Sequence, residues 1–174
     1  QLLWLNEIAG LANKTEYKKI DVLLRLQLNW ADGTSVLGGN KITPFGQDAE
    51  EWMSIDLSDL KHLNVLGFHL FQWGNILSLT ELESIWETTL KAMTCLEKNM
   101  NINLQVCDLG GGLGVPYNTD KLALNFNQVH NVLLKLKEKY KIPQIYMELG
   151  RYLVADCGYY VSKIIDQKIV RGQD

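Results

Sequence analysis

The sequence has little cysteine, little net charge and no long apolar run. Its three cysteines, Cys95, Cys107 and Cys157, match no metal-binding spacing. The odd number favours reduced thiols and a cytoplasmic protein over a disulfide framework. The formal net charge of −3 gives no sign of a nucleic-acid or anionic-membrane partner. No apolar run is long enough to span a bilayer, and no signal-peptide pattern is present at the start.

What is present is typical of a globular protein. Hydrophobic residues make up 47% and charged residues 21% of the 174 residues, enough for one domain with a core. The first residue is Gln rather than Met, and residues 2–11 carry leucine and isoleucine at helical spacing from the outset. We therefore expect the chain to be an internal fragment of a longer protein.

Strand and helix patterns alternate along the chain, and four β-then-α units in series predict a parallel sheet. A further β-branched segment over 159–170 predicts a strand at the C-terminal end. The other predicted strands cover 20–28, 64–71, 103–109 and 144–148. A short helix is predicted within 47–60, a long one over 81–98 with Thr80 as N-cap, and another from 118 or 119 to about 140.

Three consecutive glycines, Gly110, Gly111 and Gly112, directly follow a predicted strand. They do not form a dinucleotide fingerprint, because the sixth position of G-x-G-x-x-G is occupied by Val115, and no P-loop lysine follows them. Side-chain-free residues at a strand end allow backbone N–H groups to surround an anion such as phosphate. A tight turn that needs positive φ angles would explain the same glycines.

The next predicted strand ends in Glu148, which is followed by Gly150 and Arg151. This pattern predicts a second anion contact beside a carboxylate, although a structural ion pair between Glu148 and Arg151 would also account for it. Active sites of (β/α)8 barrels lie at the C-terminal strand ends, and their phosphate sites often follow strands 7 and 8. If the two loops occupy those places, two strands precede them here and four strands are missing.

Four segments together resemble the fold-type III pyridoxal-phosphate decarboxylases, which include diaminopimelate, ornithine and arginine decarboxylases. Their order and spacing match that family over nearly the whole chain, most closely its diaminopimelate-decarboxylase-like branch. The resemblance implies an α/β fold in which 1–157 form about four of the eight units of a (β/α)8 TIM barrel. Residues 158–174 would begin a C-terminal β domain that is mostly absent. The four segments are VLLRL (22–26), GFHLF (67–71), DLGGGLGVPY (108–117) and ELGRYLVA (148–155).

The resemblance also implies roles for individual residues. The three glycines, Gly150 and Arg151 would hold the phosphate of pyridoxal 5'-phosphate, and Glu148 would keep the pyridine nitrogen protonated. Phe71 would stack on the ring, at a position where the family often has a histidine. His69 would be a catalytic pocket residue, or alternatively a satisfied interior histidine. Arg25 would order the pocket rather than react.

The sequence departs from the family pattern in three places. The run Gln72-Trp73-Gly74-Asn75 follows the GFH strand, where the family usually has a Gly-Ser pair that helps to bind phosphate, and Leu149 replaces the usual proline. None of the 14 lysines lies at the C-terminal end of a predicted strand, so the lysine that bonds to the cofactor would lie upstream.

Two functions therefore remain open for the full-length protein. One is decarboxylation of a basic or diamino acid by a homodimer, with this chain alone inactive. The other is a catalytically inactive homologue that binds and regulates a partner. A phosphate-binding barrel without pyridoxal chemistry is a more distant alternative.

Overall fold

A computed structural model describes residues 1–12, 19–31, 34–35, 38–39, 41–117, 121–169 and 171. Helices and strands alternate along these residues, and single 3₁₀ turns cover Leu57–Asp59 and Ala155–Cys157. In chain order the elements are α1 (Leu2–Ala12), β1 (Ile20–Leu26), β2 (Thr34–Ser35), β3 (Gly38–Gly39), α2 (Ala49–Met53), β4 (Leu63–Leu70), α3 (Leu79–Met100), β5 (Val106–Asp108), α4 (Phe126–Tyr140), β6 (Gln144–Tyr146) and α5 (Gly150–Val154).

Four strands form one parallel sheet in the order β1-β4-β5-β6. Neighbours in this sheet follow one another along the chain, while β2 and β3 pair separately as a short antiparallel ladder. Helix α3 connects β4 to β5, and α4 connects β5 to β6. Parallel strands that adjoin in chain order through helical crossovers are the arrangement of a (β/α)8 barrel. The predicted partial barrel is therefore confirmed.

Side-chain alternation gives the sheet two different faces. Leu24 and Leu26 on β1, and Phe68 and Leu70 on β4, are at most 2% exposed. Because successive strand residues point to opposite faces, the residues between them lie on the other face. The buried leucines and Phe68 form one hydrophobic cluster with helix residues that include Trp86, Leu90, Met93, Val129 and Leu136.

Local hydrogen bonds set the ends of the long helices. The Ser78 hydroxyl accepts the Glu81 N–H at 3.3 Å, so the N-cap of α3 lies two residues before the predicted N-cap, Thr80. Asn125 caps α4 by accepting the Gln128 N–H at 3.2 Å, and the start predicted at 118 or 119 lies outside the described residues. A side-chain cap removes one unsatisfied N–H from the first turn, which is why the capping residues decide these boundaries.

The last two strands of the sheet, β5 and β6, are shorter than predicted and have three residues each. The short helix predicted within 47–60 is confirmed as α2, and Asp56 then accepts the Ser58 N–H and begins a separate 3₁₀ turn. The strand predicted over 159–170 is wrong for 159–169, where Tyr159 is 98% and Ile165 93% exposed. β-branched residues raise strand propensity, but a strand also needs a neighbour for its backbone hydrogen bonds. Residue 170 lies outside the described residues.

Within the described ranges, none of the helices combines the length and apolar character that crossing a membrane requires.

Candidate cofactor-binding site

A row of four side chains crosses the sheet on the face opposite the hydrophobic cluster. Arg25 on β1 is in register with His69 on β4, His69 with Asp108 on β5, and Asp108 with Tyr146 on β6. Residues paired in register across parallel strands point to the same side of the sheet. The barrel-interior face therefore carries polar groups close to the C-terminal strand ends.

His69 lies close to two carboxylates, those of Asp108 and Glu148. Its Nε2 atom is 3.7 Å from Oε2 of Glu148, a distance too long for a hydrogen bond, and the two side chains are 15% and 46% exposed. One ligand atom each from His69, Asp108 and Glu148 lie within 4.8 Å of one another, a grouping that could also hold a cation. His69 Nε2 is buried and has no hydrogen-bond partner among the described residues. A buried unpaired nitrogen is costly, so this atom is a natural contact for a bound group.

The glycine motif forms a sharply turned and closely packed loop. Gly110 has a φ of +64° and Gly112 a φ of +108°, so the turn explanation for these glycines holds. A Cβ atom added to Gly110 would lie 2.5 Å from the carbonyl oxygen of Leu70. A Cβ atom added to Gly111 would lie 2.7 Å from the carbonyl oxygen of Glu148 and 3.3 Å from the Phe71 ring. Packing alone therefore requires glycine at positions 110 and 111.

Backbone hydrogen bonds fix this loop but leave two of its amides available. Gly110 accepts the Glu148 N–H at 2.8 Å, Gly112 accepts the Ile76 N–H at 2.8 Å, and the Gly110 N–H donates to Oδ1 of Asp108 at 2.9 Å. The amides of Gly111 and Gly112 donate to no acceptor within the described part of the chain. Adjacent N–H groups without an internal acceptor can bind an anion, so turn geometry and anion binding are compatible here.

An open cleft of about 580 Å³ lies between the glycine loop and the start of α5, within the size range of small-molecule sites. It brings together the sequence-predicted residues Phe71, Gly112, Glu148, Gly150 and Arg151. The other sequence-predicted residues, Arg25, His69, Gly110 and Gly111, do not line it. Its remaining lining residues are Gly74, Asn75, Leu113, Leu149 and Tyr152.

The two arginines have different surroundings. Arg151 is exposed, and its guanidinium carbon lies 5.6 Å from the centre of the Tyr117 ring. Within the described ranges it forms no ion pair with Glu148, so the structural ion-pair alternative is not realised there. Arg25 donates from Nη2 to the Phe71 carbonyl at 3.3 Å and packs over the Phe45 ring at 4.9 Å. Its contacts thus fix the backbone next to the cleft, in keeping with an ordering role.

Gln72 lies in the run where the family usually has a Gly-Ser pair, and its side chain is hydrogen-bonded to the segment that follows β1. It is 3% exposed, accepts the Leu28 N–H at 2.7 Å and the Trp30 Nε1–H at 3.3 Å, and donates to the Leu28 carbonyl at 3.0 Å. These bonds direct its amide towards the segment that follows β1, and Gln72 does not line the cleft.

Sequence reasoning missed two residues of this region. Asp108 was visible as the first residue of the glycine motif, but nothing in the spacing indicated a contact with His69. Asn75 adopts a left-handed conformation with a φ of +56° and accepts the Val115 N–H at 3.0 Å. Asparagine tolerates the left-handed conformation better than most residues other than glycine, which is the signal that could have found this turn.

Comparisons with known proteins agree on one family. The family described as "Pyridoxal-dependent decarboxylase, pyridoxal binding domain" matches residues 5–155. The diaminopimelate decarboxylase of Methanocaldococcus jannaschii is 30% identical over 176 aligned positions, which cover 94% of this chain and 39% of that protein. The chain belongs to the pyridoxal-dependent decarboxylase family.

Two further proteins are similar to this chain. Protein TabA of Pseudomonas amygdali pv. tabaci is 31% identical over 104 positions, which cover 58% of this chain and 25% of TabA. The crystal structure of diaminopimelate decarboxylase from Helicobacter pylori complexed with L-lysine has a TM-score of 0.68 at 20% identity, covering 85% of this chain and 37% of that one. At this identity the structural similarity shows the barrel fold alone.

The residues present fit the family cofactor, pyridoxal phosphate. Gly112, whose amide has no internal acceptor, suits a phosphate, and Glu148 at the same cleft suits a protonated ring nitrogen. Buried His69 Nε2 offers a further polar contact beside Glu148.

Proposed function

We propose that the full-length protein is a pyridoxal-phosphate-dependent decarboxylase that acts on a basic or diamino acid. The chain covers 39% of the length of the Methanocaldococcus relative, so the activity belongs to a longer protein than the residues described. The proposal rests on the finding that Glu148 and Gly112, whose amide has no internal acceptor, line the same cleft.

Different residues at the cleft bind different parts of the cofactor. The Gly111 and Gly112 amides bind the phosphate, and the positive charge of Arg151 lies at the same cleft. Glu148 holds a proton on the pyridine nitrogen, and the bound ring supplies the electron sink for the electrons released as CO₂ leaves. Phe71 packs against Gly111 and presents an aromatic surface to the ring.

The family lysine must come from elsewhere in the full-length protein. No lysine among the described residues lines the cleft. A lysine that bonds to the cofactor is part of nucleophilic pyridoxal catalysis, so we expect it on a barrel strand upstream of residue 1. In our proposal, the functional protein is a homodimer.

The test uses the purified full-length protein. Pyridoxal phosphate binding is followed by its near-visible absorbance, and CO₂ release is measured with diaminopimelate, ornithine, arginine and lysine as substrates. We expect a bound chromophore and CO₂ release from at least one of these amino acids. A protein that neither binds the cofactor nor releases CO₂ from any of them would contradict the proposal.

A second candidate is the catalytically inactive homologue. It is favoured by the bonds of Gln72 to Leu28, because the family's serine contact to phosphate has no counterpart at that position. Cofactor binding without CO₂ release from any amino acid, together with capture of a partner protein, would support this candidate over the enzyme.

A further inference from the structure

Asp108 is bonded to the glycine loop and also lies close to His69 and Glu148. It is the last residue of β5, it is partly buried, and it directly precedes the glycine loop. Its Oδ1 atom accepts the Gly110 N–H at 2.9 Å. Its carboxylate also lies within 4.8 Å of an imidazole nitrogen of His69 and a carboxylate oxygen of Glu148.

The bond to Gly110 determines which loop amides remain for an anion. Gly110 is held at a φ of +64°, a conformation in which its N–H turns back towards the preceding carboxylate. Since this N–H is already used, the amides of Gly111 and Gly112 are the ones left without an internal acceptor. The side chain of Asp108 therefore shapes the part of the loop that would receive phosphate.

The carboxylate also acts on the neighbouring strand. His69 is the in-register partner of Asp108, and its Nε2 atom is buried without a hydrogen-bond partner in the described part of the chain. An imidazole close to carboxylates favours the orientation and tautomer that direct an N–H towards negative charge.

We propose that Asp108 is a positioning residue of the cofactor site, which holds the glycine loop through Gly110 and orients the imidazole of His69. The inference rests on the proposed function and adds one residue to it. Asp108 does not line the cleft, so it acts through its neighbours rather than on the cofactor.

The chain offers a matched control for this proposal. Oδ1 of Asp56 accepts the Ser58 N–H at 2.9 Å, the same bond to the second following residue, in an exposed turn outside the cleft. Asp56→Ala and Asp108→Ala remove equivalent local hydrogen bonds. A loss of cofactor affinity specific to Asp108→Ala therefore reports on the site rather than on the turn.

The experiment measures the dissociation constant of pyridoxal phosphate for the full-length wild type and three variants. We expect Asp108→Ala to weaken binding at least tenfold, and Asp56→Ala to stay within threefold of wild type. Asp108→Asn keeps an oxygen acceptor for Gly110 and should restore binding to within threefold. ¹⁵N NMR of the cofactor-free protein should show altered His69 ring nitrogen signals in Asp108→Asn and unchanged signals in Asp56→Ala.

The possible failures can be told apart. If the wild type does not bind the cofactor, the proposed function fails, and the role of Asp108 fails with it. If the wild type binds and Asp108→Ala binds equally well, Asp108 is a turn residue only. If Asp108→Ala does not fold, Asp108→Asn decides, and unchanged His69 signals in that variant would overturn the orienting role.

Discussion

Gly111 lies directly against the backbone of Glu148, because a Cβ atom at position 111 would be 2.7 Å from the Glu148 carbonyl oxygen. The loop after β5 and the segment after β6 are thus in van der Waals contact at the point where the site is formed. A substitution in one of them displaces the other. This contact also means that a mutation of Gly111 tests packing before it tests anion binding.

We predict that Gly111→Ala lowers the free energy of unfolding by about 1–3 kcal/mol, the usual cost of forcing an extra methyl group into a packed site. Denaturant unfolding of the full-length protein measures this change. Gly158→Ala is the control, because a Cβ atom there meets nothing within 4 Å. Equal stability of the two variants would show that the loop can move away from Glu148 at no cost.

Gly150→Asp tests the cleft without disturbing the fold. An added Cβ atom at Gly150 has no neighbour within 4 Å, and a carboxylate suits the first turn of α5. The new charge faces the proposed phosphate position, so we expect cofactor affinity to fall at least tenfold, or ~1.4 kcal/mol. Absorbance titration measures it. Gly158→Asp, which is equally unhindered but outside the cleft, should bind normally.

Glu148→Gln keeps the shape of the side chain and removes its charge. The pyridine nitrogen then loses the partner that keeps it protonated, so we expect turnover to fall at least tenfold, about 1.4 kcal/mol of barrier, with cofactor still bound. Steady-state CO₂ release measures the change. Glu83→Gln, on α3 and paired with Lys135 outside the cleft, is the control. Unchanged turnover in Glu148→Gln would remove this carboxylate from the mechanism.

The three thiols should differ in reactivity. Burial raises the pKa of Cys107 to about 12, with a contribution from the negative charge of Glu97, while Cys95 and Cys157 are exposed. A raised pKa keeps the thiol neutral, and at pH 8 only about one Cys107 in ten thousand is the reactive thiolate. Alkylation followed by mass spectrometry should modify Cys95 and Cys157 first, and Cys107 only after unfolding. Rapid labelling of native Cys107 would contradict its place in the core.

Much of this architecture could be predicted because it is encoded locally. The apolar strands and the three glycines are continuous segments, and the alternation around Arg25 and His69 indicates that both side chains face the barrel interior. The capping of α3 was misplaced because Ser78 and Thr80 are equally plausible caps in sequence, and only the packed helix distinguishes them. Hydrophobic and β-branched character alone could not show whether 159–169 has a neighbouring strand.

Individual residues of the site could be predicted from the sequence, but the contacts between them could not. Glu148 and the glycines belong to recognisable motifs, whereas the approach of Asp108 to His69 depends on strand register. Register is set by the hydrophobic pattern of whole strands, and no short motif encodes it. The direction of Gln72 towards Leu28 likewise follows from the pairing of β1 with β4.

The hydrogen bond from Arg25 to the Phe71 carbonyl matters for protein engineering. The ring of Phe71 rests on Gly111, so a strand that contributes no atom to the cleft sets the position of one of its walls. Grafting the lining residues alone onto another barrel would leave that wall unanchored. A successful transfer of the site therefore has to include β1 with Arg25, and also Phe45, against whose ring Arg25 packs.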